Sequence, residues 1–140
     1  MTMPRPNIVF ILSDDQGIWA AGCYGNHEIR TPHIDRLAVR GVRMQNMFVA
    51  TPVCSPSRAT LLTGRIPSQH GVHDWLRGGN MGPDATAYLE GEVCYTDVLA
   101  AHGWRCGSWL APRCHLPLSP QHGFSHWYAH QLGGGPYHNA

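Results

Sequence analysis

The sequence lacks a long hydrophobic run, a dense cluster of one charge, and paired cysteines. Its first apolar run, residues 7–12, stops after six residues and is too short for a signal-peptide core or a membrane span. We therefore expect a cytoplasmic protein without a membrane partner. Ten basic and nine acidic residues give a net charge of +1 with no basic run, so we expect no nucleic-acid partner either.

The cysteines exclude two further classes of protein. Their number, five, is odd and none forms a Cys-x-x-Cys pair, which argues against a disulfide framework and a zinc knuckle and favours reduced thiols.

A chain of 140 residues with 43% hydrophobic and 14% charged residues is typical of one globular core. We expect residues 1–140 to form one domain, or part of one, without a second domain.

The order of predicted elements indicates an α/β fold. Residues 7–12 form a continuous apolar run, as expected for a parallel strand covered on both faces. Thr31 and Pro32 predict a helix start, and Gly41 predicts its end. The later predictions are a strand over 42–50, a long surface loop over 64–91, a helix over 96–101 stopped by Gly103, and a strand over 104–110.

The segment from Cys54 to Gly64 reads Cys-Ser-Pro-Ser-Arg-Ala-Thr-Leu-Leu-Thr-Gly. It predicts a helix over 57–63, ended by Gly64 and anchored by inward-facing Leu61 and Leu62. Cys54 would lie beside the helix N-terminus, where N–H groups and the guanidinium of Arg58 favour an anion such as sulfate or phosphate. Two alternatives stay open: an unmodified reactive thiol and a buried structural cysteine.

Two adjacent carboxylates, Asp14 and Asp15, follow the first predicted strand. Ligands in an open α/β sheet bind at the carboxyl ends of strands, and a hard cation is one way to keep neighbouring carboxylates ionised. A solvated turn or a helix cap is the alternative for such a pair.

The Cys54 segment resembles the signature of the sulfatase family, and the order of the Asp pair and the cysteine is also that of the family. The resemblance implies that Cys54 is oxidised to formylglycine by a formylglycine-generating enzyme and that the hydrated aldehyde is the nucleophile. It further implies that Asp14, Asp15 and an oxygen of the residue made from Cys54 bind Ca2+, with Mg2+ or Mn2+ as alternatives. Arg58 would steady the aldehyde-derived hydroxyls, and the substrate would be a small sulfated molecule.

A third block resembles the family less closely. If His115 and Leu116 match the family's His-Leu, Arg113 stands where a lysine is usual and Cys114 where a tryptophan is usual. The resemblance implies that Arg113 and His115 belong to the catalytic site, although His115 could equally be an ordinary loop histidine. Gly123-Phe124 restores the family pattern. His70-Gly71 adds to it too, and a zinc site of His70 with His73 is disfavoured by the intervening glycine.

The resemblance runs over residues 7–124 but covers only the N-terminal part of a sulfatase. It implies a partial α/β fold of the alkaline-phosphatase type: a mostly parallel sheet flanked by helices, with the C-terminal part missing and one sheet edge and an apolar face uncovered. The expected function is sulfuric ester hydrolysis. A catalytically silent fragment, and a phosphonate monoester hydrolase or phosphodiesterase of the same superfamily, are the alternatives.

Overall fold

The computed structural model describes residues 5–76, 86–108 and 121–127. The chain divides into two compact units, residues 1–47 and residues 48–140, and each is described by itself. In the described part of the chain, no helix combines the length and apolar character needed to cross a bilayer.

The first unit is organised around one helix, α1 (Pro32–Arg40), which begins at the predicted proline and ends before Gly41 as predicted. The start of α1 is tied to a preceding 3-10 turn (Gly22–Tyr24). Asp35 accepts hydrogen bonds from the Cys23 N–H at 2.7 Å and from the Thr31 hydroxyl at 3.0 Å. These hydrogen bonds at the helix start therefore hold α1 to the 3-10 turn, which follows another 3-10 turn over Ile18–Ala20.

The two strands predicted over 7–12 and 42–50 are absent from the structure, so both predictions are wrong. Their apolar side chains are exposed; Val9 and Ile11, for example, are 82% and 83% exposed. A strand exists through the hydrogen bonds it makes with neighbouring strands. Among the residues that the structure describes, no strand pairs with either segment.

The described residues of the second unit form three helices and two short strands. The helices are α2 (Cys54–Thr63), α3 (Pro67–His70) and α4 (Tyr95–Ala101); the strands are β1 (Cys106–Ser108) and β2 (Phe124–Trp127). The predicted signature helix is confirmed, but it starts at Cys54 rather than at residue 57. Helix α4 is confirmed as well, and the chain leaves it through Gly103 at a φ of +83°.

The described strands form a two-stranded parallel sheet. Strand β1 lies inside the predicted strand over 104–110, whereas β2 was not predicted. Cys106 pairs with Phe124, and the register then shifts before Gly107 pairs with His126. A small parallel sheet flanked by helices confirms the predicted α/β class.

The core of the second unit consists of Ala59, Val72 and Leu89, with three partly buried side chains packed against them: Leu62, Leu76 and Tyr88. Two of the central residues come from the segment predicted as a surface loop, and α3 also lies in it, so that prediction is wrong for the described residues. The physical reason is that isolated apolar residues between glycines still gain by burial without any periodic pattern. Leu62 packs inward as predicted, but Leu61 is 40% exposed.

Candidate active site at the start of helix α2

Cys54 is the first residue of α2 and is partly buried. The preceding residue, Val53, is extended, and its carbonyl accepts the first helical hydrogen bond from the Ser57 N–H at 3.0 Å. Pro56 is tolerated here because first-turn N–H groups have no partner within the helix. The sequence thus places the Cys54 side chain where the helix presents unpaired N–H groups and the positive end of its dipole.

The residues directly after Cys54 fix its position. Ser55 and Pro56 are fully buried. The Ser55 hydroxyl accepts a hydrogen bond from the Leu76 N–H at 3.2 Å and lies 4.0 Å from the Cys54 Sγ. This hydrogen bond satisfies the buried hydroxyl and joins the start of α2 to Leu76, which packs against the core. The sequence reasoning missed this role of Ser55, since a small polar residue in a motif carries no separate signal.

Arg58 lies four residues after Cys54 on the same helix and is partly buried. Side chains four apart on an α-helix lie on the same face. The guanidinium and the helix N-terminus therefore give this face of α2 a positive potential around Cys54. A tetrahedral oxyanion, or the anionic form of a nucleophile, is the kind of group that such a site favours.

A buried histidine links α2 to α3. His70 is 3% exposed, and its Nδ1 accepts a hydrogen bond from the Val72 N–H at 3.2 Å. Its proton is therefore on Nε2, which lies 3.0 Å from the Thr60 hydroxyl oxygen and donates to it. Desolvation by burial lowers the pKa of His70 from its ordinary 6.5, so the neutral ring is favoured. The only sequence signal for this role was the His-Gly pair after the signature helix.

The predicted metal ligands Asp14 and Asp15 lie in the first unit, on an exposed turn. Asp15 has a left-handed backbone with a φ of +53°, a conformation that aspartate tolerates better than most residues. Carboxylate oxygens suit Ca2+ and Mg2+, so this pair fits such a cation in the kind of donor. Two carboxylates offer four oxygens, fewer than the roughly six to eight that Ca2+ takes.

The other predicted site residues are divided between described and undescribed parts of the chain. Cys54 and Arg58 are brought together on α2, whereas Arg113 and His115 lie outside the described residues. His70 and His73 do not form a metal-type cluster with a third ligand in the described ranges, and His70 is instead engaged with Thr60.

The chain belongs to the sulfatase family, because a model of that family matches residues 6–136. It is 38% identical to the human steryl-sulfatase over 91% of the chain and 24% of that protein. It is 39% identical to human arylsulfatase A over 94% of the chain and 25% of that protein. The chain thus spans about a quarter of the length of these relatives.

The structure is similar to that of a protein solved with its substrate D-glucosamine-2-N, 6-O-disulfate. The TM-score is 0.66 at 32% identity, over 89% of this chain and 23% of the solved one. The predicted partial α/β sulfatase fold is therefore confirmed, and the sequence resemblance that rested on the Cys54 motif was correct.

Proposed function

We propose that this chain carries the nucleophile-bearing part of a sulfatase active site and acts in the hydrolysis of a small sulfate ester. The observation that supports this most directly is the placement of Cys54 at the first position of α2, with Arg58 one turn later. Family membership gives that arrangement its chemistry, since the relatives are named for the hydrolysis of steryl and aryl sulfates.

The proposed role of Cys54 depends on its conversion to formylglycine. The modified residue, once hydrated, would supply an oxygen nucleophile for attack at sulfur. Arg58 and the N–H groups at the start of α2 would hold the negative charge of the attacking oxygen and of the sulfate. The hydrogen bond from the Leu76 N–H to the buried Ser55 hydroxyl would hold residue 54 in place when the anionic sulfate binds at the start of α2. Arg58 and Ser55 would bind and orient without a change of protonation, whereas the attacking hydroxyl of the hydrated aldehyde would lose its proton as its oxygen bonds to sulfur.

A divalent cation, calcium by resemblance to the family, is part of the proposal. Asp14 and Asp15 would hold it, and it would add positive charge against the sulfate oxygens. An oxygen of the residue made from Cys54 is the third proposed ligand. Arg113 is proposed to bind the sulfate group, and His115 to protonate the departing alcohol oxygen.

The sulfated substrate is proposed to be small. The site on α2 recognises the sulfate end of a ligand through charge, whereas the alcohol end would contact other loops. The disulfated glucosamine belongs to the structural neighbour and the sterol and aryl groups to the named relatives; what they share is a sulfate ester.

The test begins with the modification itself. The full chain is co-expressed with a formylglycine-generating enzyme, the tryptic peptide containing residue 54 is analysed by mass spectrometry, and the aldehyde is captured with a hydrazide. We expect conversion in the wild-type chain and in Cys106→Ser, and none in Cys54→Ala. Hydrolysis of an aryl sulfate is then measured with Ca2+ and with chelator.

The outcomes separate the competing interpretations. Turnover that requires both the aldehyde and Ca2+ supports the proposed function. Aldehyde without turnover supports a modified but catalytically silent chain, and turnover of an aryl phosphonate in place of the sulfate supports the related phosphonate chemistry. An unmodified Cys54 that reacts readily with iodoacetamide would contradict the proposal and favour the reactive thiol.

A further inference from the structure

We propose that Cys94, Asp97 and His122 form a binding site for Zn2+, separate from the site at α2 and independent of the proposed hydrolase function. One ligand atom from each of the three side chains lies within 4.8 Å of the other two. Cys94 directly precedes α4, Asp97 lies in its first turn, and His122 lies just before β2. The ligands therefore come from two chain segments that are 25 residues or more apart in sequence.

The distance between two of the donors already suits a tetrahedral metal. His122 Nδ1 lies 3.5 Å from Asp97 Oδ2. Zinc bonds of about 2.0–2.2 Å at tetrahedral angles place neighbouring nitrogen and oxygen ligands roughly 3.3–3.5 Å apart. An ion between Asp97 and His122 would therefore require little movement of either side chain. The Cys94 side chain caps the Asp97 N–H, and its Sγ lies within 4.8 Å of both other donor atoms.

The backbone around the site is fixed on both sides. Asp97 Oδ2 accepts the Cys94 N–H at 2.8 Å, which orients the carboxylate toward the cysteine. The Thr96 hydroxyl donates to the His122 carbonyl and so holds the histidine segment against α4. His122 has a left-handed backbone with a φ of +50°, which histidine adopts more often than most residues other than glycine.

The donor types select the metal. A sulfur, an imidazole nitrogen and one carboxylate match zinc and disfavour Ca2+ and Mg2+, which prefer oxygen only. Binding replaces the S–H bond of Cys94 with an S–Zn bond, and the proton leaves to the buffer. One thiolate and one carboxylate then balance the two positive charges of the ion.

Burial indicates how the site would be filled. The Cys94 side chain is fully buried, while the His122 and Asp97 side chains are 15% and 32% exposed. The thiol is thus shielded from solvent, which argues against a role as a nucleophile. The exposed side leaves room for a water as the fourth ligand, so we infer three protein ligands and one exchangeable ligand. The bound ion would join the segment before β2 to the start of α4.

Zinc binding is tested on the full chain after removal of bound metal. Zn2+ is titrated in competition with a chromophoric chelator, Co2+ is titrated while the thiolate-to-metal charge-transfer band is followed, and thermal unfolding is recorded with and without Zn2+. We expect one ion per chain, a charge-transfer band from a single thiolate, and a higher unfolding temperature with Zn2+.

Three variants remove one donor each while preserving the local geometry. Cys94→Ser keeps the size of the side chain, Asp97→Asn keeps an acceptor for the Cys94 N–H, and His122→Asn suits the left-handed backbone. Each should weaken zinc binding by more than the roughly 10–100-fold typical of residues that only orient a metal ligand. The matched control is Cys106→Ser, because the Cys106 thiol is near the same helix, 3.7 Å from the Thr96 carbonyl, but outside the cluster.

The outcomes decide the proposal in each case. Zinc affinity that is unchanged in all three variants, a Co2+ complex without a thiolate band, or an equal loss in Cys106→Ser would overturn it. In any of these cases Asp97 is only the cap of α4 and the partner of His122. Circular dichroism of each apo variant identifies a folding defect, and if Cys94→Ser is unfolded, Asp97→Asn and His122→Asn decide the matter.

Discussion

The link between Thr60 and His70 can be tested by replacing Thr60 with valine, which keeps the shape of the side chain and removes its hydroxyl. His70 is buried, and its Nδ1 is occupied by the Val72 N–H. The Nε2 proton is therefore left without its acceptor in Thr60→Val. Helix propensity changes little, because valine and threonine are similar in this respect. The variant thus isolates one buried hydrogen bond.

The expected cost follows from the burial of the donor. A typical hydrogen bond within a protein contributes only about 0.5–1.5 kcal/mol net, but a buried donor left unsatisfied costs about 1–3 kcal/mol. With His70 only 3% exposed, we expect Thr60→Val to lower the free energy of unfolding by about 1–3 kcal/mol. Thr60→Ser, which keeps the hydroxyl and loses one methyl group, should cost no more than about 0.8 kcal/mol.

The assay is urea unfolding of the full chain followed by tryptophan fluorescence, with the midpoints of the three proteins compared at a shared m-value. A second control is Thr63→Val on the same helix, where the hydroxyl donates to the Ala59 carbonyl at 2.7 Å and accepts from the exposed Arg65 N–H at 3.2 Å, so no buried ring loses its partner. The reasoning is refuted if Thr60→Val has the wild-type midpoint, or if it is no less stable than Thr60→Ser. Either result would mean that the Nε2 proton has another acceptor.

Three further predictions concern the second unit. Lowering the pH should destabilise the chain, because burial holds the pKa of His70 below 6.5 in the folded state. The contribution of His70 to the free energy of unfolding is therefore complete above pH 6.5 and decreases as the pH falls toward the folded pKa. The measurement is the urea unfolding midpoint against pH, with His70→Gln as reference. Val72→Ala should cost about 2 kcal/mol in urea unfolding, because it removes two fully buried methyl groups and leaves a cavity. Gly123→Ala should cost more than about 2 kcal/mol in the same assay, because φ is +76° and the new Cβ would overlap the Thr96 carbonyl.

A specific result would contradict each of these three predictions. A midpoint that depends on pH equally in His70→Gln and wild type would assign the effect to other histidines. A Val72→Ala chain as stable as wild type would mean that the Val72 side chain is not buried against Ala59 and Leu89. Gly123→Ala with unchanged stability would mean that the segment before β2 does not lie against α4.

The confirmed predictions were mainly those that depend on the chemistry of neighbouring residues. The helix over Pro32–Arg40 and the end of α2 at Gly64 follow from proline and glycine acting on their own backbone. The family also followed from local pattern, because the Cys54 motif specifies residue types at fixed spacings. Neighbouring residues are enough for such features.

The failed predictions share one physical cause. The apolar runs over 7–12 and 42–50 have the composition of buried strands, yet a strand requires a hydrogen-bonded partner that the run itself does not encode. The reverse error occurred at Val72 and Leu89, which are buried although their segment has no periodic pattern. Burial and pairing depend on residues distant in sequence, and composition near one position does not report them.

By itself, the sequence determined the family and the spacing of Cys54 and Arg58 in its signature motif, since these are properties of contiguous residues. Only the tertiary structure showed that His70 holds α2 through Thr60, and that Cys94, Asp97 and His122 meet. Both arrangements join side chains from separate segments, with spacings of ten residues in one case and 25 or more in the other. Such pairs are created when the chain folds back to bury its core, and no local propensity specifies them.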